Sequence, residues 1–230
     1  MKTLLSSCQD ASDELGIASP SSIIGATNED ARRLLNAARR EVNFLSNKYD
    51  WQSTIKSSDI VTVSGQESYD LPGDYRRDLM QTTYDNSNQY RAVPLSYRNY
   101  NKLKFGIDGT ADINSYYRII GDKIRFLPEN VATGSTITFD YVTKDIVCSA
   151  SGVPKSDFTV DSDTHVFDDE MVILGIIWRF KRMRGETYND DKNDYNIHLS
   201  DLWAKDGPSM VLCWGSYYDH TNLPDTGYGS

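Results

Sequence analysis

The chain has 230 residues, with 24 Lys+Arg against 33 Asp+Glu, a net charge of -9 and 39% hydrophobic residues. That length and apolar content support a sizeable core in one large domain or two small ones, which excludes a globally disordered chain. The acidic balance argues against a general nucleic-acid binder, whose affinity would come from net basic charge.

Thr3 to Leu15 reads as a short helix, with Leu4, Leu5, Cys8, Ala11 and Leu15 at spacings of three and four. Gly16 and Ser19-Pro20 end it. Leu5-Ser6-Ser7-Cys8 mimics a lipoprotein cleavage site, but only Leu4 and Leu5 precede the serines, too few for a signal core. Thr27-Asn28-Glu29-Asp30 then caps a long second helix. Ala31, Leu34, Leu35, Ala38, Val42, Leu45 and Tyr49 share one apolar stripe on it. Phe44 lies off that stripe, among Arg40 and Lys48, and needs a second packing partner.

After Trp51 the pattern turns to period two. Ile60 to Val63, Tyr116 to Ile120, Lys123 to Leu127 and Thr136 to Thr143 read as strands. Gly121-Asp122 suits a type II′ hairpin turn, Leu71 to Asp74 is a turn, and Ser96 to Lys104 is a short helix. Lys144 to Thr164, rich in Ser, Asp, Gly and Pro, reads as a long exposed loop.

Helices return at Asp168. Acidic residues open this helix and Arg179, Lys181, Arg182 and Arg184 close it, matching its dipole at both ends. Between them Met171 to Trp178 is apolar around the whole circumference, so it must be enclosed on most sides. Leu174 and Trp178 are expected to face the apolar stripe of the second helix. A last helix from Asn189 to Lys205 aligns Tyr188, Tyr195, Leu199 and Leu202. Gly207-Pro208 breaks it, and the remaining tail carries Trp214, Tyr217 and Tyr218 as aromatic anchors. No apolar run approaches the ~20 residues of a spanning helix, so no membrane partner is expected.

Candidate chemistry is sparse. His165, His198 and His220 lack second ligands at metal spacing, and Cys8, Cys148 and Cys213 are odd in number and far apart, which fits reduced thiols. Asp161, Asp163 and His165 echo the start of a calcium loop, but Val166 replaces its glycine and Val172 its final glutamate. GxSxG, P-loop, GxGxxG and HExxH motifs are absent. No catalytic residue and no cofactor are expected. The competing classes are a carbohydrate- or receptor-binding tail module and a hydrolase with an unrecognised carboxylate dyad.

Three patches carry a resemblance. Ala31 to Arg40 leads into Lys48-Tyr49-Asp50-Trp51-Gln52; Gly65 to Arg77 follows; Asp169-Glu170 through Trp178-Arg179-Phe180-Lys181 comes last, with Gly185, Tyr188 and Asp194-Tyr195 after it. Across about residues 28 to 205 this order resembles the head-to-tail adaptor (connector) proteins of tailed bacteriophages, including the tail tubular protein A type. The resemblance implies a non-catalytic ring subunit of the virion, commonly one of twelve, between the portal protein and a tail or nozzle protein. Genomic DNA would pass through its channel without specific binding. An acidic lining, with the 161–169 segment as candidate, would repel phosphates. The expected fold is α+β, with a helical bundle from residues 1–52 and 165–206. A mainly antiparallel β domain is inserted at 53–164, and an extended C-terminal tail occupies 207–230. Phe44, Arg40, Lys48, Trp214, Tyr217 and Tyr218 are the candidate interface residues.

Overall fold

The computed structural model describes residues 1–79, 82–105, 116–127 and 134–206. Two helices come first, α1 (Leu4–Leu15) and α2 (Glu29–Lys48). Each starts on a polar cap: the Ser6 amide donates to Thr3 Oγ1, and the Asp30 amide donates to the Asn28 side chain. Such caps satisfy amides that a helix start leaves without partners. A 3₁₀ turn at Gln52–Thr54 then leads into the strands. These are β1 (Ile55–Val61), β2 (Ser68–Asp70), β3 (Tyr75–Asp78), β4 (Tyr84–Asp85), β5 (Tyr90–Arg91) and β6 (Val93–Pro94). Helix α3 (Tyr97–Lys104) precedes β7 (Tyr116–Ile120), β8 (Lys123–Leu127) and β9 (Thr136–Thr143). The chain continues through β10 (Val147–Cys148), β11 (Pro154–Lys155) and β12 (Thr164–His165) to α4 (Asp169–Arg184) and α5 (Asn189–Asp206). Among the described residues this is an α+β fold with five helices and mainly antiparallel sheets.

β9 organises the largest sheet. β1, β3 and β4 all pair antiparallel with it, and β5 extends the sheet from β4. A second sheet runs β2-β8-β7-β6, in which only β6 and β7 are parallel. The β7–β8 hairpin pairs Ile120 with Lys123, leaving Gly121-Asp122 as its loop. Gly121 has φ +63°, and a positive φ at the first loop residue alone is the type II′ pattern. Alternate residues of these strands, including Tyr117, Ile124, Phe126, Ile137 and Phe139, form one buried apolar cluster.

The other cluster belongs to the helices. Helix α4 packs against α1, α2 and α5, which is why an all-round apolar sequence is stable there: every side has a neighbour. Met171, Val172, Ile176, Ile177 and Phe180 are buried, and Leu174 is half-buried. Trp178 does not face α2 as expected. Its ring lies against Tyr188 and Tyr195, with centroids 6.3 and 5.9 Å away. Gly175 of α4 lies against Glu41 of α2.

The 144–164 segment also differs from the exposed loop its composition suggests. β10 pairs with both β11 and β12, and Ile146, Val147 and Phe158 are buried in the helical cluster. The polar residues that mislead the reading serve the backbone. Asp163, fully buried, accepts from Lys155 Nζ at 2.8 Å, the Thr159 amide at 2.7 Å and the Val160 amide at 3.0 Å. Burial pushes its carboxyl up, but Lys155 and these amides outweigh burial and hold it at about 2, against an ordinary 3.8. A depressed carboxylate contributes stability that is present above pH ~4 and lost as pH falls toward ~2, here on the order of 2 kcal/mol. Asp163→Asn should therefore be destabilised in urea at pH 7, with the gap to the native chain narrowing between pH 4 and pH 2. A gap that does not change with pH would mean the charge is not what holds this turn.

Candidate assembly interface

Helical geometry puts Arg40, Phe44 and Lys48 on one outer face of α2, at positions i, i+4 and i+8. Phe44 is 38% exposed, too open for α1 to be covering it. Two cations bracket its ring instead: Lys48 Nζ at 6.0 Å and the Arg179 guanidinium at 5.2 Å from the centroid. Arg179 comes from α4 and also lies 4.4 Å over the Trp178 ring.

What fixes Arg179 lies underneath. Its Nε donates to Glu41 Oε2 at 2.6 Å, and Tyr195 Oη donates to Glu41 Oε1 at 2.6 Å. The Glu41 side chain is fully buried. Burial pushes its carboxyl up from the ordinary glutamate value, while the Arg179 charge and the two hydrogen bonds pull the other way. Burial likewise pushes the Tyr195 hydroxyl up beside that carboxylate, so it stays a proton donor. Three helices thus meet on one carboxylate, and Gly175 leaves the space it needs. The long outer side chains stand on a rigid base.

Sequence reasoning found Phe44, Arg40 and Lys48 but missed Glu41 and Arg179 as their support. One signal was available. A glutamate on the Ala37–Ala38–Leu45 face of α2 and a glycine inside the apolar run of α4 are each unfavourable alone. Together they mark the acid of a buried ion pair with Arg179 and the clearance it needs. Trp214, Tyr217 and Tyr218 lie outside the described residues.

Two of the sequence patches meet at the end of α2. Trp51 Nε1 donates to the Leu45 carbonyl at 2.8 Å, Arg77 donates to the Tyr49 carbonyl at 3.2 Å, and Arg77 also pairs with Asp50. Arg76 reaches Ser46 Oγ. These contacts fasten β3 to the helices. Beside them Trp203 stacks on Tyr49 at 5.1 Å while remaining 52% exposed. A cleft of ≈ 290 Å³ between Leu45, Trp51, Phe167 and Leu202 ends at Asp206.

The carboxylates of the acidic 161–169 segment are engaged in contacts within the subunit. Asp161 accepts from the Ile23 and Ile24 amides and Ser22 Oγ, and Asp163 is buried as above. Asp168 caps α4 through the Met171 amide, and Asp169 accepts from the Lys2 amide.

Groups with catalytic potential are built into the fold in the same way. Ser7, His165 and Asp169 come close together, but Ser7 and His165 are each 1% exposed. His165 Nδ1 bonds the Phe167 carbonyl, so the carboxylate that a triad places on that nitrogen is missing. Burial pushes the Cys8 thiol up to about 12, which suppresses the reactive thiolate. Asp74 and Asp145 share Lys56. Burial raises the Asp74 carboxyl, but Lys56, Tyr141 and Thr143 win and hold it below the ordinary range, the wrong direction for a general acid. Among the described residues no group of three or more His, Cys, Asp or Glu is placed to hold a metal ion. No described helix is long and apolar enough to cross a membrane.

An α+β fold whose buried charges, among the described residues, are engaged within the fold, and which carries a basic and aromatic outer face on a braced base, is suited to protein–protein contact. The chain belongs to the SU10 adaptor protein family, whose family model matches residues 2–204. It is a bacteriophage head-to-tail adaptor, a virion component of the head–tail junction associated with portal and tail components. The match takes in α1 and the 144–164 segment, which the sequence patches did not reach, and stops short of the tail. Comparison with curated proteins finds no match.

Proposed function

We propose that the chain is one subunit of a homo-oligomeric ring of twelve, seated between the portal protein and a tail or nozzle protein. Genomic DNA passes through the ring's channel without specific binding. The helices of residues 1–52 and 165–206 form the body of each subunit, with the strands of 53–164 inserted and residues 207–230 extended toward a partner. Beyond the family itself, the observation that carries this reading is the Phe44 face. An aromatic ring left 38% exposed among cations and braced by a buried ion pair is poor design for a lone monomer. It suits a protein–protein contact, where aromatic and arginine anchors dominate. A net charge of -9 favours passage of DNA, because like charges repel within a Debye length.

The tail is the expected link to the neighbouring ring. Val211, Leu212, Trp214, Tyr217 and Tyr218 are large anchors close together in sequence, and exposed apolar anchors of that kind serve binding. Cutting the chain after Asp206 should leave melting unchanged, while infectious particles fall at least a hundredfold and tailless heads accumulate in electron micrographs. Normal yields of infectious particles from the truncated chain would remove the tail from this account.

A further inference from the structure

The basic face of α2 and α4 has a counterpart elsewhere on the same chain. Arg40, Phe44 and Asn47 from α2 line a groove of ≈ 440 Å³ with Arg179 from α4, and Arg182 lies beside it. Arg40 and Arg182 have no ion-pair partner among the described residues, and the Arg179 Nε is held by Glu41. The chain as a whole is acidic by nine charges. Arg40 and Arg182, on either side of the Glu41-bound Arg179, therefore form a positive patch against the overall sign.

On α5 the pattern is inverted. Asp190, Asp194, Ile197 and Asp201 fall within about 60° of one another at 3.6 residues per turn and span ~16 Å. They lie on the face away from buried Tyr195 and Leu199, and Ile197 is 62% exposed. None of the three aspartates has an ion-pair partner among the described residues; the neighbouring Asp191 is the one that pairs, with Lys181. An exposed isoleucine flanked by three free carboxylates matches an exposed phenylalanine in a groove that Arg40 lines and Arg182 adjoins.

We infer that the outer face of α5 in one subunit docks in the Arg40–Phe44 groove of the next copy, Ile197 against Phe44 and the aspartates against the arginines. The inference rests on the ring reading above and identifies its contact. Neither patch complements itself, since acidic meets acidic or basic meets basic across a two-fold axis. The pair is therefore heterologous, the kind of interface that closes into a ring when the rotation permits. Bidentate arginine–carboxylate pairing supplies direction, and the two apolar side chains supply a dry centre.

The test is charge reversal in the full chain. Arg40→Glu, Asp194→Arg and the double variant are studied alone and added to DNA-filled heads made without the adaptor. Native mass and sedimentation give the subunit number, and electron microscopy gives the copies seated per head. Both positions are on the surface, so melting curves should match the native chain and confirm folding. The native chain is expected to form closed rings in at least one setting. Each single reversal should require at least tenfold more protein to do so, and the double reversal should recover most of the loss. Raising salt from 50 to 500 mM should weaken native assembly in the same direction. Single variants that assemble like the native chain overturn the pairing while leaving the ring reading intact. A native chain that stays monomeric in both settings overturns the ring reading, and the pairing with it. If Arg40→Glu lowers binding to duplex DNA with no change in subunit number, the groove serves phosphates and the inference is wrong.

Discussion

Substituting alanine for Gly175 should destabilise the protein by about 3 kcal/mol, lowering Tm by roughly 6–12 °C for a chain of this size. In an ordinary helix interior the sign is opposite, because alanine is favoured over glycine by about 1 kcal/mol. The expectation reverses here because an added Cβ would sit closer than 3.0 Å to the Glu41 side chain. That side chain cannot swing aside cheaply. Each of its oxygens holds a hydrogen bond of 2.6 Å, to Arg179 and to Tyr195, and it has no exposed surface to move into. Displacing it leaves a buried carboxylate and guanidinium out of register, and breaking such a pair costs about 3–5 kcal/mol. A double-mutant cycle isolates the cause. Glu41→Ala alone should be costly, but adding Gly175→Ala to it should cost almost nothing, since the clash has gone. A Gly175→Ala variant that melts at or above the native temperature would show that Glu41 yields freely and that the network is not rigid.

The buried ion pair also marks where sequence reasoning stops. The Thr136 to Thr143 strand, the Gly121-Asp122 hairpin and the helices ending at Leu15 and Gly185 were legible because local signals act alone there. Alternation, a turn glycine and a capping residue each depend on a few neighbouring positions. Glu41 carries no such signal: a glutamate in a helix is ordinarily solvated, and only the approach of α4 and α5 buries it. The same holds for Trp178, where an all-round apolar run says that every side is covered but not by what. The 144–164 segment failed for a related reason. Its Ser, Asp and Gly residues are the composition of a loop, yet three short strands and inward-turned carboxylates make it part of the helical core. Of the candidate interface, the Arg40–Phe44–Lys48 spacing was visible as an aromatic out of place. Its brace was not, because Arg179 is 135 residues from Phe44 along the chain and reads locally as a helix C-terminal charge.

Ile177→Asp should be the most damaging single change in the helical part of the protein, costing about 4–5 kcal/mol or preventing folding at 37 °C. Ile177 is 4% exposed, on a helix that packs against α1, α2 and α5. An ionised aspartate there has no cation prepared for it, since Arg179 is engaged by Glu41 and Lys181 by Asp191. Burial would raise the pKa of the new carboxyl well above its unfolded value near 4, so the deficit has a defined pH dependence. Above the raised value the charged form is disfavoured in the native state and the loss is full. As pH falls toward 4 the proton returns in the folded chain first, the charge disappears, and part of the loss is recovered. Leu174→Asp supplies the comparison, because Leu174 is only half-buried and its carboxylate can reach water. It should cost clearly less and show a weaker pH dependence. Thermal and urea unfolding of both variants at pH 7 and pH 5 separate the possibilities. If Ile177→Asp melts like the native chain, α4 is not enclosed by its three neighbours, and the rigid base beneath the Phe44 face goes with it.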